Sequence, residues 1–436
     1  MIFYSMNAFL DELDKALGNM SGEARKEILD DFREHFRLAR EEGKTDEEII
    51  KTLGAPNTIA KQFLEMGESK SGYKSFYASP MQSGNNYNEE TNHYYGVSSN
   101  ERAFGTDGVE RIIIDVNTAN IKVNADSQTQ SIRTSVCIRD KKGSFHSSKY
   151  GGTIEITEDS PFSLLSFIGL HRKPTEITID IPTNSKYCFE LNNRFGRIEL
   201  FNCNGVLLTI RCSLGDIQTG YAQFEKISAN SKGGNIEFEH VSSGFTDLQA
   251  TAGNIAIKES SGSLEAHSSA GNVKIRKHRG NVVAQSAAGN VRVENSEGHV
   301  KANTAAGNVK IQTAICEFVD LSSGAGNVSL SAEEVKGLKI SALAGDAKAQ
   351  VERILGDVDM TSGAGDVKLD ANFMQGNINA TSGAGTVRVK IPRETSIRVV
   401  TKKGMGSVKN SLPDNQQSPY TLTASSPLGT VKLIGT

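Results

Sequence analysis

Apolar and polar residues alternate one by one through much of the C-terminal half of this 436-residue chain. Examples are Val273-Lys274-Ile275, Val291-Arg292-Val293 and Val309-Lys310-Ile311. A period of two is typical of a β-strand with one buried face, because successive side chains of a strand point to opposite sides. The pattern predicts many short strands with Val, Ile, Leu and Ala inside and polar residues outside.

A Gly-[Asn/Asp]-[Ile/Val] tripeptide recurs every 18 to 21 residues and divides these strands into similar units. Its glycines are Gly215, Gly234, Gly253, Gly271, Gly289, Gly307, Gly326, Gly345 and Gly365. A second Gly often falls half a period later, so each unit holds two strands and two tight turns. We predict a mainly β protein, a β-solenoid with two short strands per coil. At ~4.8 Å per coil, the rod from Gly196 to Gly429 is ~58 Å long.

The residue after each repeat Gly is most often Asn and recurs in register. These residues are Asn235, Asn254, Asn272, Asn290, Asn308 and Asn327. Gly and Asn tolerate a positive φ, and stacked side-chain amides can satisfy one another and the turn backbone. The pattern therefore predicts a structural amide ladder rather than a ligand site.

Three other repeat families fit the sequence less well. The hexapeptide helix of acyltransferases requires an aliphatic residue every six positions, but stepping from Val273 gives Arg279 and Gln285. The calcium-binding nonapeptide roll requires Asp two residues after its second Gly, whereas Asp366 follows Gly365 directly. Pectin-cleaving β-helices have long loops around clustered acids, and the intervals between these glycines leave no room for them. We therefore predict a protein that is not an enzyme and has no cofactor.

The first 67 residues have a helical pattern instead, and residues 5 to 67 carry a net charge of −5. Two amphipathic faces are evident: Phe9, Leu10, Leu13 and Leu17, then Ile28, Leu29, Phe32, Phe36 and Leu38 or Ala39. Thr45-Asp46-Glu47-Glu48 is a capping box that predicts a third helix, and Pro56 is suited to the first turn of a fourth. This is the composition of a small helical domain.

Four motifs in this segment resemble the helix-turn-helix-associated α-helical signalling domain of Gram-positive bacteria. They are Met6 to Leu10, Asp31 to Phe36, Gly43 to Ile49 and Leu53 to Pro56; at Phe32 the family more often has Tyr. Such domains usually accompany PadR-type transcription regulators. The resemblance therefore implies protein docking, for which Asp31, Glu34, His35 and Phe36 are the candidate residues.

Residues 109 to 436 resemble the putative-adhesin family of bacterial β-solenoids, which implies a fold but little about function. The composition predicts four regions: a helical domain at 1–67, a flexible linker rich in Ser, Gly, Asn and Tyr at 68–104, atypical β coils that cap the rod at 105–190, and the repeats at 191–436.

Compartment and metal signals are weak. The first 20 residues contain three acidic side chains and no apolar run of signal-peptide length, and no stretch approaches the ~20 apolar residues that span a bilayer. A cytoplasmic location is expected, with association with the envelope left open. The five cysteines lack Cys-x-x-Cys spacing and are expected to be small buried apolar residues. No second His stands four residues from His35, so no metal site is predicted.

One row of outward residues is basic. The positions between the two buried residues of the first strand are Lys274, Arg292, Lys310, Lys348, Lys368, Arg388, Lys409 and Lys432, interrupted by Ser329. The second strand is mixed, with Glu265, Val283, Lys301, Asp320, Lys339, Asp359 and Asn379 outward. Lys and Arg can simply keep an exposed sheet soluble. Stacked cations also repel one another, however, and a polyanion would relieve that repulsion.

Two functions remain open from the sequence. The first is a non-catalytic scaffold whose helical domain docks a protein partner, such as a transcription regulator. The alternative is a polyanion-binding or cell-surface-binding rod that uses Lys274, Arg292, Lys310, Lys348, Lys368 and Arg388, with teichoic acid, anionic lipid or nucleic acid as ligand.

Overall fold

The structure is a computed structural model that describes residues 5–18, 22–41, 45–53, 55–57, 59–60, 90–139, 144–158, 174–183, 186–402 and 404–436. Its helices are α1 (Met6–Ala16), α2 (Gly22–Glu41) and α3 (Asp46–Leu53). Its strands are β1 (Glu90–Tyr95), β2 (Ser98–Phe104), β3 (Arg111–Asp126), β4 (Ile132–Ile138), β5 (Ser144–Tyr150), β6 (Thr153–Glu158), β7 (Thr175–Pro182), β8 (Tyr187–Phe195), β9 (Ile198–Phe201), β10 (Cys203–Leu214), β11 (Ile217–Ser231), β12 (Ile236–Ala250), β13 (Ile255–Ser268), β14 (Val273–Arg279), β15 (Val282–Ser286), β16 (Val291–Glu297), β17 (His299–Ala306), β18 (Val309–Ala325), β19 (Val328–Ala342), β20 (Ala347–Ile354), β21 (Val358–Ser362), β22 (Val367–Met374), β23 (Ile378–Ser382), β24 (Val387–Ile391), β25 (Arg398–Lys402), β26 (Val408–Asn410), β27 (Thr421–Ser425) and β28 (Val431–Gly435).

The helices pack around their own apolar core, separate from that of the strands. The core contains Phe9, Leu10, Leu13, Leu17, Leu29, Phe32, Phe36, Ala39, Ile49, Leu53, Ile59 and Ala60. The capping box forms at the start of α3: the Thr45 N–H donates to Glu48 Oε2 at 2.9 Å, and the Glu48 N–H donates to Thr45 Oγ at 3.4 Å. Asp46 accepts from the Met6 N–H at 2.9 Å and pairs with Arg40 at 2.7 Å, so it links all three helices.

The strands form the predicted β-solenoid, in which every coil adds one strand segment to each of two stacks. The first stack holds the strand after each Gly-Asn turn, such as β14, β16 and the start of β18, and the second holds the next strand, such as β15 and β17. The pairing is parallel, and Val273, Val291 and Val309 face one another in register. All three are buried, and such columns form the core between the stacks.

The N-terminal end of the rod is covered by antiparallel strands. Strand β3 forms a coil across both stacks, and β6 and β7 pair with it in parallel. Strand β5 pairs with β6, and β1 pairs with β5. On the other stack, β4 pairs with β7, and β2 pairs with β4. All four pairings are antiparallel. The expectation of a linker through residue 104 is therefore wrong for residues 90–104. Strand β2 buries only Phe104 and its other side chains are half-buried or exposed, so it lacks an apolar alternation.

The C-terminal end departs from chain order. Strands β27 and β28, the last in the sequence, pair with β23 and β24 on one side and with β25 and β26 on the other. The coil that contains β25 and β26 is therefore outermost, and the final coil of the chain lies inside it. Nothing in the repeat pattern distinguishes these two coils.

The repeat glycines are required by close packing, and among the nine only Gly215 and Gly307 also have a positive φ. A Cβ on Gly234 would lie 2.0 Å from the carbonyl oxygen of Gly215 in the coil before, and Gly253 and Gly289 have equivalent contacts. The expectation of positive φ at these turns is wrong for the ladder asparagines, because the described non-Gly residues with positive φ are Asn202, Lys277 and Asn295. The turns stack so tightly that a methyl group does not fit.

The amide ladder forms as predicted. Asn272 Oδ1 accepts from the Asn290 backbone N–H at 2.9 Å and from the Asn290 side-chain amide at 3.2 Å, and Asn290 Oδ1 does the same for Asn308. Asp346 and Asp366 continue the row by accepting from the next backbone N–H. The ladder is therefore structural, since each side-chain oxygen is occupied by the following coil.

A column of buried hydroxyl groups, which the sequence analysis missed, lines the other side of the same turn. Each hydroxyl donates to the carbonyl of a repeat Gly one coil earlier, for example Ser268 to Gly253 and Ser286 to Gly271, both at 2.8 Å. The members are Ser231, Ser268, Ser286, Thr304, Ser323, Ser362, Ser382 and Ser426. Their constant place three residues before the Gly is the signal that could have revealed them.

Candidate polyanion-binding surface

The basic residues predicted on the first strand form one row along the first stack. The strand register places Lys274 beside Arg292, Arg292 beside Lys310, Lys348 beside Lys368, and Lys368 beside Arg388. Ser329 lies between Lys310 and Lys348 and interrupts the row. Because neighbouring strands are ~4.8 Å apart, the row is a line of regularly spaced cations. We call it the basic row.

The last two members of the basic row stand in the reverse of their sequence order. Because the last coil is inserted, Lys432 lies beside Arg388 and Lys409 beside Lys432. Lys348, Lys368, Arg388, Lys432 and Lys409 therefore form a run of five cations on consecutive coils. All five are exposed except Lys432, which is half-buried.

Carboxylates neutralise two members of the basic row. Arg292 forms an ion pair with Glu294, which also pairs with Arg276 at 2.9 Å, and Lys348 pairs with Asp346 at 2.7 Å. Partial burial acts to raise the pKa of Glu294, but hydrogen bonds and charge from Arg292 and Arg276 outweigh it and hold that pKa below its usual value. The hydrogen bond from Lys348 likewise lowers the pKa of Asp346. Both acids are therefore ionised at neutral pH.

The remaining cations of the row have no such partner. Among the described residues, no carboxylate lies within ion-pair distance of Lys310, Lys368, Arg388, Lys432 or Lys409. The rows alongside contain acids, as where Asp370 pairs with Lys390 at 3.4 Å. Cations of the adjacent row, such as Lys390, are paired with acids, so the uncompensated positive charge follows the basic row and is densest from Lys368 to Lys409.

The second stack has no equivalent line of charge. Its outward row runs in register through Glu265, Val283, Lys301, Asp320, Lys339, Asp359 and Asn379. Lys301 and Lys339 flank Asp320 directly, so the charges alternate as expected for a surface that is only solvated. The two stacks therefore differ in electrostatic character.

Of the four residues proposed for partner docking, Phe36 is the one whose side chain the structure describes. Phe36 is fully buried and its ring centroid lies 5.7 Å from that of Phe9, so it is a core residue and the expectation that it docks a partner is wrong. Its place on the apolar face of α2 is the physical reason. The side chains of Asp31, Glu34 and His35 lie outside the described residues.

Three of the five cysteines are buried within the rod. Cys203, Cys212 and Cys316 are buried, as expected, whereas Cys137 and Cys188 are only half-buried. Burial raises the pKa of the Cys203 and Cys212 thiols to about 12 and also raises that of Cys316. These three thiols are therefore protonated at neutral pH and behave as small apolar groups.

The family of the chain is shown by a comparison with protein-family models. A model described as Toastrack DUF4097 matches residues 109–299 and 281–432. The chain belongs to the Toastrack DUF4097 family. A second model, HAAS, matches residues 8–62 of this DUF4097 protein and is compatible with the resemblance seen in the helical segment. Association with a helix-turn-helix regulator stays a prediction.

Two solved structures match this DUF4097 protein with low sequence identity and low TM-scores. One, from Clostridium sporogenes, is described as a "putative cell adhesion protein"; it has 9% identity and a TM-score of 0.17, and the match covers 78% of this chain and 99% of that one. The other, a "putative adhesin" from Bacteroides fragilis, has 15% identity and a TM-score of 0.25, with 58% and 97% covered. Likenesses this weak carry no argument about function.

Two further findings concern curated relatives and membrane spans. The search of curated proteins returned no match. In the part of the chain that the structure describes, no helix is long and apolar enough to cross a membrane.

Proposed function

We propose that this protein is a non-catalytic binding scaffold whose basic row holds a linear polyanion. The observation that carries the proposal is the run from Lys368 through Arg388 and Lys432 to Lys409, in which four successive coils present cations that have no carboxylate partner in the described part of the chain. Stacking like charges this closely costs free energy that a bound anion would return. A surface designed only for solubility would alternate the signs, as the second stack does.

The shape of the charge favours a strand-like ligand over a flat surface. The basic row is one residue wide, and the adjacent row contains Glu294 and Asp370. A linear phosphate polymer, such as teichoic acid or a single-stranded nucleic acid, can follow the row without meeting these acids. A lipid bilayer would rest on the flanking row as well, where Glu294 and Asp370 pair with Arg276 and Lys390, so that row adds little net attraction.

Binding titrations of the full chain would test the proposal. The probes are purified teichoic acid, single-stranded DNA and vesicles with anionic lipid, each at low and moderate salt. We expect tight binding to one of the linear polymers that weakens steeply with salt, because bound cations release counterions from the polymer. No salt-dependent binding to any probe would leave the row with a solubilising role only.

A charge-matched pair of variants makes the test specific. The variant K368S/R388S/K432S places Ser where Ser329 already occupies the same row, so the fold should be retained. The control K301S/K336S/K339S removes three cations from elsewhere on the rod. We expect the first variant to lose most of its affinity and the control to keep it. Equal losses would show that net charge, not the row, determines binding.

A second candidate function is protein docking by the helical domain. The observations in its favour are the HAAS match to residues 8–62 and the separate hydrophobic core of these helices. We propose that this domain contacts a protein partner, for which a PadR-type regulator is the candidate that the sequence resemblance implies. Purified regulator from a neighbouring gene, titrated against the full chain and against a chain lacking residues 1–67, would test it. Equal binding by both would contradict helical docking.

A further inference from the structure

A mixed cluster of potential metal ligands lies on the second stack, away from the basic row. Asp247 on β12 and Glu265 on β13 are directly opposite in the strand register, and His267 is two residues beyond Glu265 on the same outward face. One ligand atom from each of the three side chains lies within 4.8 Å of the other two. All three side chains are half-buried.

The two carboxylates of this cluster have no ion pair with a Lys or Arg among the described residues, whereas other acids on the rod do. Lys258 pairs with Glu239 and Lys277 with Glu259, whereas among the described residues no Lys or Arg lies within ion-pair distance of Asp247 or Glu265. Val283 occupies the outward position on the next coil, so no cation follows Glu265 there. Like charges directly opposite on neighbouring strands repel. A bound cation would remove that repulsion.

Neighbouring groups already orient the cluster. The side-chain amide of Gln249 donates to Asp247 Oδ2 at 3.0 Å, which fixes the direction of that carboxylate. His267 Nε2 lies 3.8 Å from Glu265 Oε2. Strands hold all four side chains, so the ligands are positioned by the backbone register rather than by a mobile loop. Groups that orient the ligands in this way typically strengthen a metal site.

We propose that Asp247, Glu265 and His267 form a zinc-binding site. One imidazole nitrogen and two carboxylate oxygens are donors that zinc accepts, at roughly 2.0 to 2.2 Å. Ligands of a tetrahedral ion at that range stand roughly 3.5 Å apart, so closing the cluster needs only side-chain rotation. Calcium and magnesium fit less well, because they prefer an all-oxygen shell of six or more ligands. The three protein donors leave the remaining position of the ion facing solvent.

His267 also lines a polar groove that runs along the second stack. The groove encloses about 380 Å³ and is lined by His267 together with a column of side-chain amides, Asn230, Gln249, Gln285 and Asn303. A zinc ion at His267 would therefore lie at the side of a surface that can hydrogen-bond a ligand. The basic row lies on the other stack and contributes no residue to this site.

Calorimetric titration of the chelator-treated full chain with zinc chloride tests the site. The variant H267Q is closely matched, because Gln249 and Gln285 flank His267 in the same row and a third Gln should fit. We expect one zinc ion per chain for the wild type, and at least tenfold weaker binding for H267Q and for D247N. Calcium and magnesium should not compete.

A control variant separates this site from binding elsewhere. D359N removes a carboxylate from the same outward row on a distant coil, opposite Asn379, and should leave zinc affinity unchanged. Circular dichroism of every variant checks the fold. Zinc binding that is equally tight in H267Q and D247N would assign the metal to other groups, such as the thiols, and overturn the proposal. An absence of binding by the folded wild type would overturn it as well.

Discussion

At the residue scale, buried and exposed positions alternate one by one along the strands of the rod. Val309 is fully buried and Lys310, its neighbour, is exposed, as the period of two requires. The reason is geometric, because parallel in-register stacking leaves each side chain only two directions. The sequence pattern attributes the repeat glycines to a positive φ. It cannot show how near two successive turns approach, which is the reason that a Cβ does not fit there.

Substitutions at two adjacent positions should separate the inside of the rod from its outside. Val309→Asp places an unpaired carboxylate in the core and should lower the free energy of unfolding by several kcal/mol, whereas Lys310→Ser should change it by about 0.5 kcal/mol or less. Urea denaturation of both variants checks this. Similar losses for the two would contradict the assigned faces.

A buried histidine makes stability depend on pH. His278 is buried in a column between Ser260 and Ser296, its Nδ1 lies 2.9 Å from Ser260 Oγ, and its Nε2 has no hydrogen-bond partner among the described residues. Burial lowers its pKa, although backbone hydrogen bonds at Asn281 and Gly262 oppose this. The unfolded chain therefore takes up the proton first as the pH falls below ~6.5, and stability decreases from there until the lower folded pKa is reached.

In the variant His278→Ser, the free energy of unfolding should depend less strongly on pH. Serine already stands above and below this position, so the column can accept it at the cost of a cavity. We expect the difference in unfolding free energy between pH 7.5 and pH 5.5 to be smaller for the variant than for the wild type. Chemical denaturation at both pH values measures it, and an equal difference would show that other groups are responsible.

At the scale of the elements, the amide ladder was predictable and the buried hydroxyl column was overlooked. Both repeat in register, but Asn after Gly is conspicuous, whereas Ser286 and Thr304 resemble ordinary strand residues until their contacts with Gly271 and Gly289 are seen. Strands β1 and β2 escaped prediction for another reason. They lie at the edge of the sheets with little apolar surface to bury, so their polar composition is typical of a linker.

The ladder should depend on its oxygen atoms more than on its amide nitrogens. In the wild type, the Asn327 backbone N–H donates to Asn308 Oδ1 at 2.9 Å. Asn308→Ala removes that acceptor and should lower the free energy of unfolding by about 1 to 2 kcal/mol. Asn308→Asp keeps that acceptor, as Asp346 and Asp366 do in the same row, and should cost less. Thermal unfolding distinguishes the two, and a larger loss for the Asp variant would contradict this view of the ladder.

At the scale of the whole molecule, the order of the last coils could not be predicted from the sequence. The turn of Gly429 lies between those of Gly385 and Gly406, so the chain passes outward and returns to fill a coil. The sequences around all three turns fit any of the three coil positions, so only tertiary packing selects the order of the coils. This return places Lys432 before Lys409 at the end of the basic row, whereas the repeat count had them in the opposite order.

Truncation should reveal the inserted coil. Deletion of residues 411–436 removes β27 and β28, the only described strands that pair with β25 and β26, whereas deletion of residues 392–436 ends the rod at an intact coil. We therefore expect residues 392–410 of the first variant to exchange amide hydrogen rapidly and to be cleaved early by protease. Their continued protection would contradict the coil order.

The central claim is that the basic row binds a linear polyanion through several cations at once. Replacing Ser329 with Lys joins the two runs of the row, so it tests the claim by a gain rather than a loss. The measurement is the slope of the logarithm of the binding constant against the logarithm of salt concentration, for the polymer that the wild type binds best. We predict that S329K binds more tightly and that its slope is steeper by about 0.7, the value for one added phosphate contact on a single strand. An affinity and slope identical to those of the wild type would contradict the account.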